Sequence, residues 1–136
     1  MKNHFLVLPL LFLIFSCSES VDSKNQLVDF NSSPNEWLLH GRTYAEERHS
    51  PLDQINTSNV DQIGLSWSFE TGTNRGHETT PIVKDGVMFI TAPWSVVHAL
   101  DAKTGDLLWT YDPQVERAWA NNACCDVVNR GVALYE

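Results

Sequence analysis

Two cysteines stand side by side at Cys124 and Cys125, within ACCDVVNRG at residues 123–131. Adjacent thiols have few chemical uses. A trans peptide holds neighbouring Cα atoms about 3.8 Å apart, short of the roughly 4.4–6.8 Å that a disulfide spans. A bridge here would close a small strained ring around almost no chain, so it could not stabilise a fold by cross-linking. If it forms, it has another use. The alternatives are free buried thiols, a redox switch or a zinc site. Zinc is disfavoured, because adjacent thiolates chelate one ion poorly and the chain has no CxxC or paired-histidine spacing. Downstream, Arg130 offers a guanidinium fork suited to carboxylates, and Glu78 in GHETTPIV (76–83) opens an apolar run. Taken alone, each would be a solvated surface residue. His40, His49, His77 and His98 lack ligand spacing and are read as structural or exposed.

The third and last cysteine, Cys17, belongs to a different segment. Lys2 precedes the apolar run FLVLPLLFLIF (5–15), too short for a membrane span but suited to a secretory signal. IFSC (14–17) resembles a bacterial lipobox, which implies cleavage before Cys17 and diacylation there. The alternative is an ordinary signal peptide with an incidental cysteine. Export with a lipidated Cys17 would leave Cys124 and Cys125 in an oxidising compartment, where a disulfide is permitted. The net charge of −8 and the absence of any basic run exclude a nucleic-acid or anionic-membrane surface.

These segments set the domain limits: a lipoprotein signal peptide at 1–16, a polar tether at 17–35 rich in Ser, Asn and Asp, and a folded domain from 36 to 136. Within the domain, TSNVDQIG (57–64) has a helix-start pattern at Ser58 and Asp61. Beyond it short strands are expected. LSWSFET (65–71) alternates around Trp67 and Phe69, and TPIVKDGVMFITA (80–92) is a hairpin around Asp85-Gly86. VVHALD (96–101) and LLWTYD (107–112) flank a second turn closed by Gly105. Such spacing suits an antiparallel meander, the unit of a sandwich or a propeller blade. GVALYE (131–136) would begin another strand, and the chain is therefore expected to be a fragment.

The stretch ALDAKTGDLLW (99–109) carries the spacing A-x-D-x-x-T-G-x-x-x-W. It resembles the tryptophan-docking repeat of pyrroloquinoline quinone (PQQ) propellers, and IGLSWSFETG (63–72) looks like the tail of a degenerate copy. RHSPLDQINTSNV (48–60) also looks familial, with a structural role. ACCDVVNRG resembles the vicinal-disulfide loop of PQQ-dependent methanol and ethanol dehydrogenases. The resemblance implies an all-β fold, the N-terminal part of an eight-bladed β-propeller. It further implies that a Cys124–Cys125 disulfide lies against one face of the PQQ ring, that Arg130 meets the cofactor carboxylates, and that Glu78 lies at the cofactor. The activity implied is oxidation of a primary alcohol to the aldehyde in the periplasm, with electrons passed to cytochrome c or quinone and the membrane reached through Cys17. The family's catalytic Asp and its calcium ligands would lie beyond residue 136, so no catalytic or metal residue is assigned here. Two rivals remain: a non-enzymatic propeller lipoprotein scaffold of outer-membrane assembly, and the sugar-oxidising PQQ branch. Neither accounts for the cysteine pair.

Overall fold

The computed structural model describes residues 33–135. The signal peptide, the lipidation site Cys17 and most of the tether lie outside the described residues.

Four strands form one antiparallel sheet in sequence order: β1 (Ile82–Lys84), β2 (Val87–Ala92), β3 (Val96–Asp101) and β4 (Leu107–Tyr111). The alternating runs read from the sequence are these strands. β1 and β2 are joined by Asp85-Gly86 alone, and both residues have positive φ (50° and 77°). That is the type I′ geometry whose twist matches a hairpin, so Asp-Gly was the informative pair. The β3–β4 turn is built by Asp101. Its carboxylate accepts the backbone N–H groups of Lys103 and Thr104 at 2.8 and 2.9 Å. Those bonds, led by Thr104, hold its pKa below the usual value. The Thr104 hydroxyl donates to Asp106 at 2.8 Å, and Gly105 N donates to Asp101 O at 2.8 Å with φ at 78°. Three letters of the repeat, Asp101, Thr104 and Gly105, are therefore the hydrogen-bonding parts of one turn.

Packing explains the other two letters. Ala99 lies opposite Trp109 on β4 and opposite Phe89 on β2. The Phe89 and Trp109 rings approach to 6.0 Å between centroids, and Ala99 is fully buried in the row they share. A larger side chain at 99 would part them. Ile82, Ala92 and Leu100 complete the buried apolar set, with Thr91 and His98 as buried polar members.

Three expected elements differ. Residues 65–71 form no ladder among the described residues; the segment is held by side chains instead. Trp67 lies on Gly105, so close that a Cβ there would stand 2.5 Å from the indole. Phe69 meets His98 edge-on at 5.1 Å. Alternation reported the facing of this segment correctly, but a strand also needs a partner backbone. Likewise residues 131–135 carry no strand. The helix start at 57–64 is a single 3-10 turn, Val60–Gln62, capped by Asn59 in place of Ser58 and without a side-chain cap bond. The side chains there serve the preceding loop: Asn59 Oδ1 accepts Asn56 N at 2.8 Å, and its amide donates to Gln54 O at 2.7 Å.

Candidate cofactor site

The start of β1, the end of β2 and the β2–β3 turn lie at one end of the sheet, and residues 126–131 run across them. Thr80 N donates to Arg130 O at 3.2 Å. The buried Thr91 hydroxyl donates to Asn129 O at 3.1 Å, while Thr91 N donates to the Thr79 hydroxyl at 3.0 Å. Asn129 in turn donates to Ser95 Oγ at 3.1 Å and accepts Gly131 N at 3.0 Å. These bonds tie a distant segment to the blade, and they decide where its side chains stand.

Their effect is to bring Arg130 to Glu78. Arg130 Nη2 and Glu78 Oε2 form an ion pair at 2.8 Å, though they are far apart in sequence. Both side chains keep substantial exposure, 66% and 43%, so the guanidinium retains donors for another acid. Cys125 shares this electrostatic neighbourhood. The Cys124 sulfur, through its contact and its charge, pushes the Cys125 thiol pKa up; Arg130 opposes that and Glu78 adds to it.

The two cysteines are exposed free thiols in this structure, with sulfurs 3.0 Å apart. A covalent S–S bond is about 2.05 Å, and the present contact is a thiol–thiol hydrogen bond. The geometry still sets both sulfurs beside one another on the open side of the loop.

Other residues at this end of the sheet were not anticipated. Trp94 has Arg75 and Arg117 against its ring, with guanidinium carbons 5.4 and 4.1 Å from the centroid. Arg75 also pairs with Asp126. His40 reaches Thr80: Arg48 Nη2 lies 3.0 Å from its Nε2, and its Nδ1 lies 2.8 Å from the Thr80 hydroxyl. A guanidinium only donates, so Nε2 accepts and Nδ1–H donates to Thr80. His40 is thereby structural, as its lack of ligand spacing suggested. No spacing rule would have found Trp94 or the contacts of His40, because their partners lie on other elements. Among the described residues no group of three or more His, Cys, Asp or Glu side chains could hold a metal ion.

Similarity to known proteins agrees with this geometry. The β-propeller domain of PQQ-containing glucose, ethanol and alcohol dehydrogenases matches residues 37–136. The chain is 59% identical over 101 residues to 1-butanol dehydrogenase (cytochrome c) of Thauera butanivorans, covering 74% of this chain and 15% of that protein. It is 51% identical over 109 residues to the dehydrogenase subunit of alcohol dehydrogenase (quinone) of Komagataeibacter europaeus, covering 80% and 15%. In three dimensions it is similar to the quinohemoprotein alcohol dehydrogenase ADHIIG of Pseudomonas putida, with a TM-score of 0.76 and 56% identity over 78% of this chain and 16% of that one. The chain thus spans about 15% of the length of the curated relatives it matches. With the four-stranded meander and Trp67 docked on Gly105, the match over residues 37–136 shows that this chain belongs to the PQQ β-propeller family of glucose, ethanol and alcohol dehydrogenases.

Proposed function

We propose that the whole protein is a PQQ-dependent alcohol dehydrogenase of the periplasm, built on an eight-bladed propeller of which this chain supplies the first part. The observation that carries the reading is the Glu78–Arg130 ion pair, within electrostatic reach of Cys125, which with Cys124 makes two exposed, adjacent sulfurs. These residues suit a flat quinone bearing several carboxylates. Arg130 presents a fork that matches a carboxylate in geometry and charge, and Glu78 holds that fork in place from the opposite side. The sulfurs offer a polarisable, uncharged surface for a planar ring. In an oxidising compartment the two thiols would pass two electrons and two protons to the disulfide of a thiol oxidase, closing the pair into a rigid plate. Preorganisation of that kind lowers the entropy lost on stacking.

Bound PQQ would supply the two-electron acceptor for the alcohol's hydride. Arg130 and Glu78 would orient it, and the cysteine pair would fix the plane in which it lies. The catalytic Asp base and the calcium ligands belong to the rest of the propeller on this reading. A primary alcohol is the substrate favoured by similarity to a 1-butanol dehydrogenase. Relatives named for cytochrome c and for quinone make either the electron acceptor. Lipidation at Cys17, with anchoring to the outer membrane, follows from the lipobox-like IFSC. The scaffold alternative gives no use to an exposed cysteine pair beside an arginine.

The test is a PQQ titration of the whole apo-protein, followed by 1-butanol-dependent reduction of an artificial acceptor. Arg130→Ala would leave cofactor carboxylates unpaired, which weakens binding by about 2–5 kcal/mol; its activity should return as PQQ is raised. The Cys124→Ala, Cys125→Ala double variant should bind and fold yet stay slow at saturation. Absence of any PQQ-dependent alcohol oxidation by the wild-type protein overturns the proposal. Wild-type turnover in the double variant overturns the role of the pair.

A further inference from the structure

Trp94 sits in the β2–β3 turn with φ at 67°, and Ser95 follows at 58°. A bulky aromatic in the left-handed region is an outlier, kept only where the surrounding structure demands it. The demand here comes from the loop that carries the cysteines. Arg117, ahead of the pair, places its guanidinium 4.1 Å from the Trp94 ring centroid. Asp126, behind the pair, is tied to Arg75, whose guanidinium is 5.4 Å from the same ring. Both lie within the reach of about 6 Å at which a cation is drawn to an indole face. The turn also holds the loop by main chain and side chain: Trp94 N donates to Val127 O at 2.9 Å, and Ser95 Oγ accepts from Asn129 at 3.1 Å. A tryptophan that merely filled a core would be buried among apolar groups. This one is half-buried and faced by two cations.

We propose that Trp94 is a positioning residue, an anchor that gathers both ends of the 117–126 loop and presets the conformation in which Cys124 and Cys125 stand together. Asp126 is itself left-handed (φ 67°) and bridges back to Cys124, so fixing Asp126 through Arg75 fixes the backbone between the two sulfurs. The inference rests on the cofactor role given to the pair, but it makes a statement about the thiols alone. Closure of the pair by glutathione disulfide releases two glutathione thiols and is favoured in proportion to how often the sulfurs already meet. Loosening either end of the loop lowers that frequency.

The whole apo-protein is equilibrated in glutathione buffers of graded oxidation, and the closed fraction is read by thiol labelling and mass spectrometry. Trp94→Ala should shift the closure equilibrium toward the dithiol by roughly tenfold, the size expected from two partly exposed cation–π contacts. Turnover at saturating PQQ should fall alongside it. Trp94→Phe, which keeps an aromatic face, and Arg117→Lys, which keeps the cation, should stay within about threefold of wild type. Wild-type closure and wild-type turnover in a folded Trp94→Ala protein overturn the proposal. Should that variant not fold, Arg117→Gln removes one exposed cation from the same ring, and an unchanged equilibrium in it overturns the proposal equally. Failure of the wild-type protein to oxidise alcohols would strike the function proposed above, while the glutathione titration would still decide the anchor.

Discussion

Substituting Gly105 and Gly86 by alanine compares two glycines with nearly the same backbone and different surroundings. Their φ angles are 78° and 77°. At Gly86 an added Cβ meets nothing within 4 Å, whereas at Gly105 it would stand 2.5–2.9 Å from three ring atoms of Trp67. Gly86→Ala should therefore show only the penalty of an L-residue in the left-handed region, about 1–2 kcal/mol. Gly105→Ala carries the same penalty and must also displace the indole, an overpacking cost of about 1–3 kcal/mol more. The assay is native-state hydrogen exchange of the whole protein, read on peptides covering each turn, since tenfold in protection is about 1.4 kcal/mol of local opening. Protection around the Asp101–Asp106 turn should fall by a factor several to a hundred times greater than around Asp85-Gly86. Replacing Trp67 by Leu in the Gly105→Ala background should recover most of the excess. Equal losses at the two turns, or no recovery, would refute the docking of Trp67 on the repeat's glycine as a packing contact that matters.

Other outcomes follow from titration and processing. Burial, and to a lesser extent the nearby His77, hold the His98 imidazole below its usual pKa of 6.5; its Nδ1 faces the Thr110 hydroxyl at 2.9 Å, and its buried Nε2 has no hydrogen-bond partner among the described residues. The unfolded state then binds the extra proton first, so stability is full above pH 6.5 and is lost as pH falls through the lower folded value. Exchange protection of β3 should drop between pH 7.5 and acid in the wild type. His98→Gln should flatten that drop, and an unaltered pH profile in the variant counts against the reasoning. For Cys17, labelled palmitate should follow the protein in cells and disappear in Cys17→Ala; label that persists defeats the lipid anchor.

Local chemistry was legible in the letters. Asp85-Gly86 announced its turn because few residue pairs accept two positive φ angles in succession. Asp101, Thr104 and Gly105 announced theirs because the bonds that build the turn run between near neighbours. The cysteine pair was conspicuous because adjacency is itself the signal. Glu78 and Arg130 were nameable through resemblance, but their 2.8 Å pairing was not, since it depends on Thr80 and Thr91 holding Arg130 and Asn129 across the end of the sheet, with Thr79 in turn accepting from Thr91. The same limit hid Trp94. Its composition and spacing are those of any turn aromatic, and only the folded chain brings Arg75 and Arg117 to its ring. Residues 65–71 show the converse: period-two alternation correctly told which side chains face the blade, yet whether a segment is a strand is decided by the backbone lying beside it. Sequence determines conformations whose partners lie within a few residues; contacts that close long loops are decided by tertiary packing, because their loop-closure entropy is offset only when the whole sheet is in place.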